Sequence, residues 1–181
     1  TDAAGQPSTV DHENWSFFIV DRDGHLAARL RDRDWAVGKP FAGLEYFDFD
    51  PAWRITAEWQ ALSPPLRMEV HNVSGELKTV DVAHRAVFEV AGQTVTLLPM
   101  SVNDKEVFFV FRDRSSGKET YGAGRFLKVP AAVDGKINLD FNRAYNPPCA
   151  FTPFATCPLP PPENWLPFAV AAGEKQWVKA S

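Results

Sequence analysis

Charge is missing from the stretch that most needs it to stay in water. From Ala144 to Gly173 the only charged side chain is Glu163, yet eight of the chain's 15 prolines fall between Pro147 and Pro167. Disordered proline-rich tails depend on charge for their solvation, so this composition excludes a free tail and requires a packed one. Phe151, Phe154, Leu159, Trp165 and Leu166 are the expected anchors. The prolines fix φ and lower the entropy lost in ordering a long irregular path. The rest of the chain reads as the scaffold beneath this cap, taken as residues 142–165.

Other absences narrow the function. There is no basic run, and the net charge of −4 gives no cationic footprint to exchange for counterions, which excludes non-specific nucleic-acid binding. No stretch of about 18 apolar residues is present to span a bilayer, and the N-terminus lacks the charged-then-apolar pattern of a signal peptide. The expectation is a soluble cytoplasmic protein, although a leader already removed would leave no trace in a chain that does not begin with methionine. A nucleophile elbow of Gly-x-Ser-x-Gly type and a His-Glu-x-x-His motif are both missing. No amphipathic helical period is found, and no internal repeat.

What is present is a succession of short strands. Trp15–Val20, a turn over Asp21-Arg-Asp-Gly24 and His25–Arg31 form a hairpin signature. Gly38–Gly43 reads as a loop, and Phe41, Tyr46, Phe47 and Phe49 are expected to pack. Pro51-Ala-Trp-Arg-Ile-Thr-Ala-Glu-Trp59 alternates apolar and polar residues with the period of a half-buried strand, which Pro64-Pro65 is expected to end. Strands follow at Leu66–His71, Glu76–Ala83, Ala86–Val90 and Thr94–Leu98. Lys105–Phe111, nearly continuously apolar at its end, reads as a central strand buried on both faces. Arg125–Val129, Lys136–Phe141, Leu166–Ala171 and Lys175–Val178 complete the set. About eleven short strands at near ten-residue spacing define an all-β fold, an antiparallel barrel or sandwich. At 181 residues the chain suits one core burying roughly 70% of its unfolded surface; the expected organisation is a flexible segment, 1–14, and one β domain, 15–181.

Thr120-Tyr-Gly-Ala-Gly-Arg-Phe-Leu127, Asp140-Phe-Asn-Arg-Ala-Tyr-Asn-Pro-Pro-Cys-Ala-Phe151 and Cys157-Pro-Leu-Pro-Pro-Pro-Glu-Asn164 resemble the prokaryotic family called domain of unknown function 1684. The resemblance extends to Phe41-Ala-Gly-Leu44, Pro51-Ala-Trp-Arg54, the Phe111-Arg-Asp-Arg-Ser-Ser-Gly117 turn and Ala172-Gly-Glu-Lys175. It implies a β-rich globular domain in bacteria or archaea and brings no reaction or cofactor with it. It also implies that longer relatives carry a further N-terminal segment, whose activity is not expected of this chain.

Cys149 and Cys157, the only cysteines, admit three readings. A disulfide would close a small loop worth about 2.6 kcal/mol if the Cα atoms approach within about 7 Å in an oxidising compartment. Reduced thiols would act as small hydrophobes. A metal site, as in a zinc- or iron-dependent hydrolase, would need His71 or His84 to arrive from distant strands. A catalytic thiolate would need a base or arginine beside Cys149.

Asp140, Asn142, Arg143, Asn146 and Asn164 lie in or beside the apolar cap. One reading makes them partners for backbone groups that the prolines leave without regular pairing. The other places Arg125, Asp140, Asn142 and Asn146 around the mouth of a pocket between sheet and cap that takes a small polar or anionic molecule. Arg54 and Arg112 would add positive charge, unless each pairs with an acid such as Glu58 or Asp113. Tyr121 opens a Gly-Ala-Gly turn whose two glycines precede a strand, which favours a simple turn over a phosphate loop. The alternative to a binding domain is a structural or protein-interaction module, and a homo-oligomer is compatible with either.

Overall fold

The computed structural model describes residues 1, 2, 5–22, 24–35, 37 and 41–178. The fold is all-β, with ten strands in three antiparallel sheets, one curled into a half-barrel, and only short 3-10 turns besides among the described residues. The chain divides into two compact units, one within Thr1–Ala42 and the other Gly43–Val178.

The first unit is a three-stranded sheet of β1 (Val10–His12), β2 (Trp15–Arg22) and β3 (His25–Asp32), in that order. The hairpin expected around Gly24 is present, with Arg22 paired to His25 and Gly24 at φ +85°. The segment expected to be flexible up to residue 14 contains β1, whose Val10 faces Phe17, because a ladder can form wherever β2 offers a free edge. Phe18 and Val20 are buried while Phe17, Ile19, Leu26 and Leu30 are exposed, so the sheet's second face is apolar and uncovered. Of the loop expected at 38–43, residues 38–40 lie outside the described residues.

The second unit holds two sheets. Strands β4 (Arg54–His71), β5 (Leu77–Val90), β6 (Gln93–Leu97) and β10 (Lys136–Asp140) form one, ordered β10-β4-β5-β6; β7 (Ser101–Val102), β8 (Glu106–Phe111) and β9 (Arg125–Pro130) form the other. Alternate residues of both meet in one core: Ala57, Ala86, Phe88, Leu97, Ile137 and Leu139 from the first, Val107, Phe109, Phe111, Leu127 and Val129 from the second. Each large side chain there removes apolar surface from water worth roughly 1.5–3 kcal/mol.

Pro64-Pro65 do not end β4. The ladder passes from the Ala61–His84 pair to the Leu66–Val82 pair, so four residues of β4 bulge opposite one of β5. Proline has no N–H to lose in a bulge, and the strand resumes beyond it.

β8 is the central strand of its sheet, as its apolar run requires. Its outer face, with that of β9, packs Phe108, Val110 and Phe126 against Tyr145, Cys149, Ala155 and Cys157. Those last four belong to the proline-rich cap, which is therefore seated on the outer face of β7-β8-β9. Backbone bonds fasten it, among them Tyr145 with Phe126 in both directions at 2.9 Å and Leu159 N–H to the His71 carbonyl at 2.7 Å. The anchors differ from expectation. Leu166 is buried, whereas Phe154 and Trp165 are 73% and 54% exposed. Tyr46 and Phe49, also expected to pack, lie at the surface; Tyr46 bridges Glu174 through backbone and hydroxyl instead.

The two strands expected at 166–171 and 175–178 are absent. The carbonyls of Val170, Ala172 and Glu174 are taken by the Arg125 guanidinium, so a side chain stands where a neighbouring strand would be.

Candidate functional site

Beyond Phe111 the chain leaves β8 and makes the turn that returns it to β9 at Arg125, the cross-strand partner of Phe111. Gly124 permits that return. Its φ is +100°, and a Cβ there would meet the Phe111 carbonyl oxygen at 2.6 Å and Pro160 Cγ at 3.0 Å, so only glycine lets the turn, the strand end and the cap converge.

Below this turn lies a buried polar centre. Arg125 is 1% exposed, and its Nη2 donates to Asp113 Oδ2 at 2.9 Å and to the Val170 carbonyl at 2.8 Å; Nη1 donates to the Ala172 and Glu174 carbonyls. Asp113 Oδ1 accepts from the Ser115 backbone N–H at 2.7 Å and from its hydroxyl, which lies 2.8 Å from the Thr120 hydroxyl. Burial lowers the Arg125 pKa from its ordinary value and Asp113 opposes the shift, and a guanidinium keeps its proton regardless. The charge is thus matched and bonded, as a buried charge must be.

Above the turn is a cleft of about 490 Å³ walled by Arg112, Arg114, Lys118, Ser116, Trp165 and Pro167. Its far wall is zipped to the turn by backbone bonds: Arg112 N–H to the Asn164 carbonyl at 3.0 Å, Leu166 N–H to the Arg112 carbonyl at 2.7 Å, and Arg114 N–H to the Phe168 carbonyl at 3.0 Å. Asn164 is wholly buried and locks the register, donating to the Leu98 and Val110 carbonyls and accepting from Leu98 N–H, all within 2.9 Å. Trp165 is thereby held at the surface with its Nε1 donating to the Pro160 carbonyl at 3.1 Å, and the Arg112 guanidinium carbon lies 5.3 Å from its ring centroid. Among the described residues, Arg112, Arg114 and Lys118 have no carboxylate within 4.0 Å. A second cleft of about 300 Å³ shares Arg112 and Trp165 with the first and is walled by Leu159, Pro160, Pro161, Ala123, His71 and Glu69.

Of the eight residues expected around a pocket, Arg112 lines both clefts and Asn164 supports their common wall. Arg125 is beneath them, and Asp113 pairs with it rather than with Arg112. The others are engaged elsewhere with backbone or neighbours. Arg54 pairs with Asp140 at 3.3 Å, leaving Glu58 to Lys136. Asp140 caps the turn at Asn142, and Asn142 exchanges two bonds with the Asp50 backbone. Asn146 binds Glu174 Oε2 and the Lys175 carbonyl at 3.0 and 2.8 Å. The Tyr121 hydroxyl donates to the Cys149 carbonyl at 3.2 Å.

Cys149 and Cys157 are free thiols, with the Cys149 N–H 3.3 Å from Cys157 Sγ. Burial first, then hydrogen bonding with Cys149, pushes the Cys157 thiol up to about 11, away from a nucleophilic thiolate. Among the described residues no three His, Cys, Asp or Glu side chains gather to hold a metal ion, so neither His71 nor His84 completes a site with the pair.

Sequence reasoning missed Arg114 and Lys118, although three cations in one turn facing a charge-free segment were a legible signal. Ser115-Ser-Gly-Lys118 also has the Ser-x-x-Lys spacing of some acyl-transfer enzymes. Ser115 is 1% exposed and its hydroxyl is committed to Asp113 and Thr120, so this pair does not form a nucleophile at the surface.

No helix among the described residues is long and apolar enough to cross a membrane. A search of curated proteins gives no match. Among solved structures, the chain is similar to an uncharacterized protein of Haloarcula marismortui determined by solution NMR, at 34% identity over 75% of this chain and 77% of that one, with a TM-score of 0.60. The sequence profile of the family described as protein of unknown function DUF1684 matches residues 39–175, which contain both clefts and the buried arginine, and the chain belongs to that family.

Proposed function

We propose that this domain binds a small anionic molecule in the larger cleft, between Arg112, Arg114 and Lys118 on the turn and Trp165 on the cap. The observation that carries the reading is the charge of the walls. Three cations line the cleft, while the one carboxylate there, Asp113, is buried and already bonded to Arg125. In a chain of net charge −4, this concentration of positive side chains with no carboxylate within 4.0 Å among the described residues is suited to charge-assisted hydrogen bonds with phosphate or carboxylate oxygens.

Calorimetric titration with inorganic phosphate at low ionic strength tests this. The Arg114→Ala, Lys118→Ala double variant should bind about tenfold more weakly or worse, a loss of about 1.4 kcal/mol, while its unfolding free energy stays within about 0.5 kcal/mol of the wild type per substitution. Equal phosphate affinity in the two proteins, or no binding by either, sinks the reading.

A second reading, a protein-interaction surface, is favoured by the uncovered face of the first unit, where Val10, Phe17 and Leu30 stand in one cross-strand row. Light scattering of the wild type against Leu30→Glu tests a second copy as the partner. Equal masses remove self-association.

A further inference from the structure

Resting on the anion reading above, we infer that the ligand is a phosphate monoester whose alcohol part is a flat ring, the phosphate in the larger cleft and the ring in the smaller. The two clefts are joined through Arg112 and Trp165, and their chemistry is segregated. The larger is cationic. The smaller has Glu69 and His71 in its lining, but most of its wall is Leu159, Pro160, Pro161, Pro162 and Ala123, which match an apolar ring. Together they fall in the size range of small-molecule sites.

Trp165 stands between the two as a ready platform. Its chain neighbours Asn164 and Leu166 are buried, and Trp165 itself is more than half exposed. The exposure is not slack: the Nε1 bond to Pro160 and the lock at Asn164 fix the ring's direction before any ligand arrives. A large rigid aromatic held open to solvent loses apolar burial that stacking with a flat ring restores, and such a platform forfeits little entropy on binding. A dianionic phosphate, moreover, uses three cations better than a carboxylate, which one guanidinium satisfies with two bonds.

The experiment compares phenyl phosphate, cyclohexyl phosphate and inorganic phosphate by calorimetry on the full chain. Phenyl phosphate should bind about tenfold more tightly than inorganic phosphate, the size of one ring stacked on an aromatic side chain, and more tightly than cyclohexyl phosphate. Trp165→Leu should erase that preference and Trp165→Phe should keep part of it, the preference being the ratio of phenyl phosphate to inorganic phosphate affinity within each protein. Ala123→Leu, which fills the smaller cleft while leaving Trp165 in place, should erase it as well and serves if Trp165→Leu does not fold. Phenyl phosphate binding no better than inorganic phosphate, or no better than cyclohexyl phosphate, overturns the ring while the anion reading stands. Binding of none of the three overturns both.

Discussion

Arg112 and Arg125 flank the same turn, one just past the end of β8 and the other at the start of β9, and they have opposite fates. Arg125 is sealed inside with Asp113 and three carbonyls, every bond directed at the protein itself. Arg112 lies against Trp165 beside two further cations, with no carboxylate within 4.0 Å among the described residues. The difference separates architecture from recognition. A charge whose partners are all internal holds the fold, and one left open at a cleft wall is available to a ligand.

The comparison breaks most visibly at Arg125. Arg125→Ala strands the Asp113 carboxylate in the interior and frees the Val170 and Ala172 carbonyls, and should reduce the unfolding free energy by about 3–5 kcal/mol in a urea titration. A loss below about 1 kcal/mol would mean that the buried centre is not structural. Asn164→Ala should come next. It removes three bonds around Leu98 and Val110 and should cost about 2–3 kcal/mol, together with anion affinity, because Trp165 and the cleft wall lose their register. Destabilisation with phosphate affinity intact would separate the cleft from its support.

The smallest effect concerns pH. Burial foremost, with the Cys149 thiol nearby, pushes the Tyr121 phenol up to about 12, and burial pushes Cys157 up to about 11. Both groups release their protons more readily when unfolded, so they favour the fold fully below pH 9 and that contribution is lost as pH rises from 9 towards 12. The urea midpoint should therefore fall progressively above pH 9, and less steeply in Cys157→Ala. A midpoint flat to pH 11 would show that the cap is not closed over these groups.

The all-β class was legible because period-two alternation at Trp53–Trp59 and the apolar run at Val107–Phe111 are local signals, and the seated cap was legible from its missing charge. Pro64-Pro65 misled because a proline pair breaks a ladder only where N–H groups are needed, and a bulge needs none. Residues 166–178 misled because their apolar pattern is real while their carbonyls at Val170, Ala172 and Glu174 go to the Arg125 side chain and their other backbone bonds go to scattered turns rather than to one strand. The site was legible only in part. Arg112 stood out by type, but what separates it from Arg125 is burial, which depends on where Asp113 turns its carboxylate. No spacing in the chain records that.

The covering of β8 has a consequence for synthesis. Phe108, Val110 and Phe126 are shielded by side chains from Tyr145 to Cys157, which leave the ribosome after the strands they protect. Until then the nascent protein carries a bare aromatic ridge, and a product truncated before Tyr145 keeps it permanently, a substrate for chaperones or a seed for aggregation.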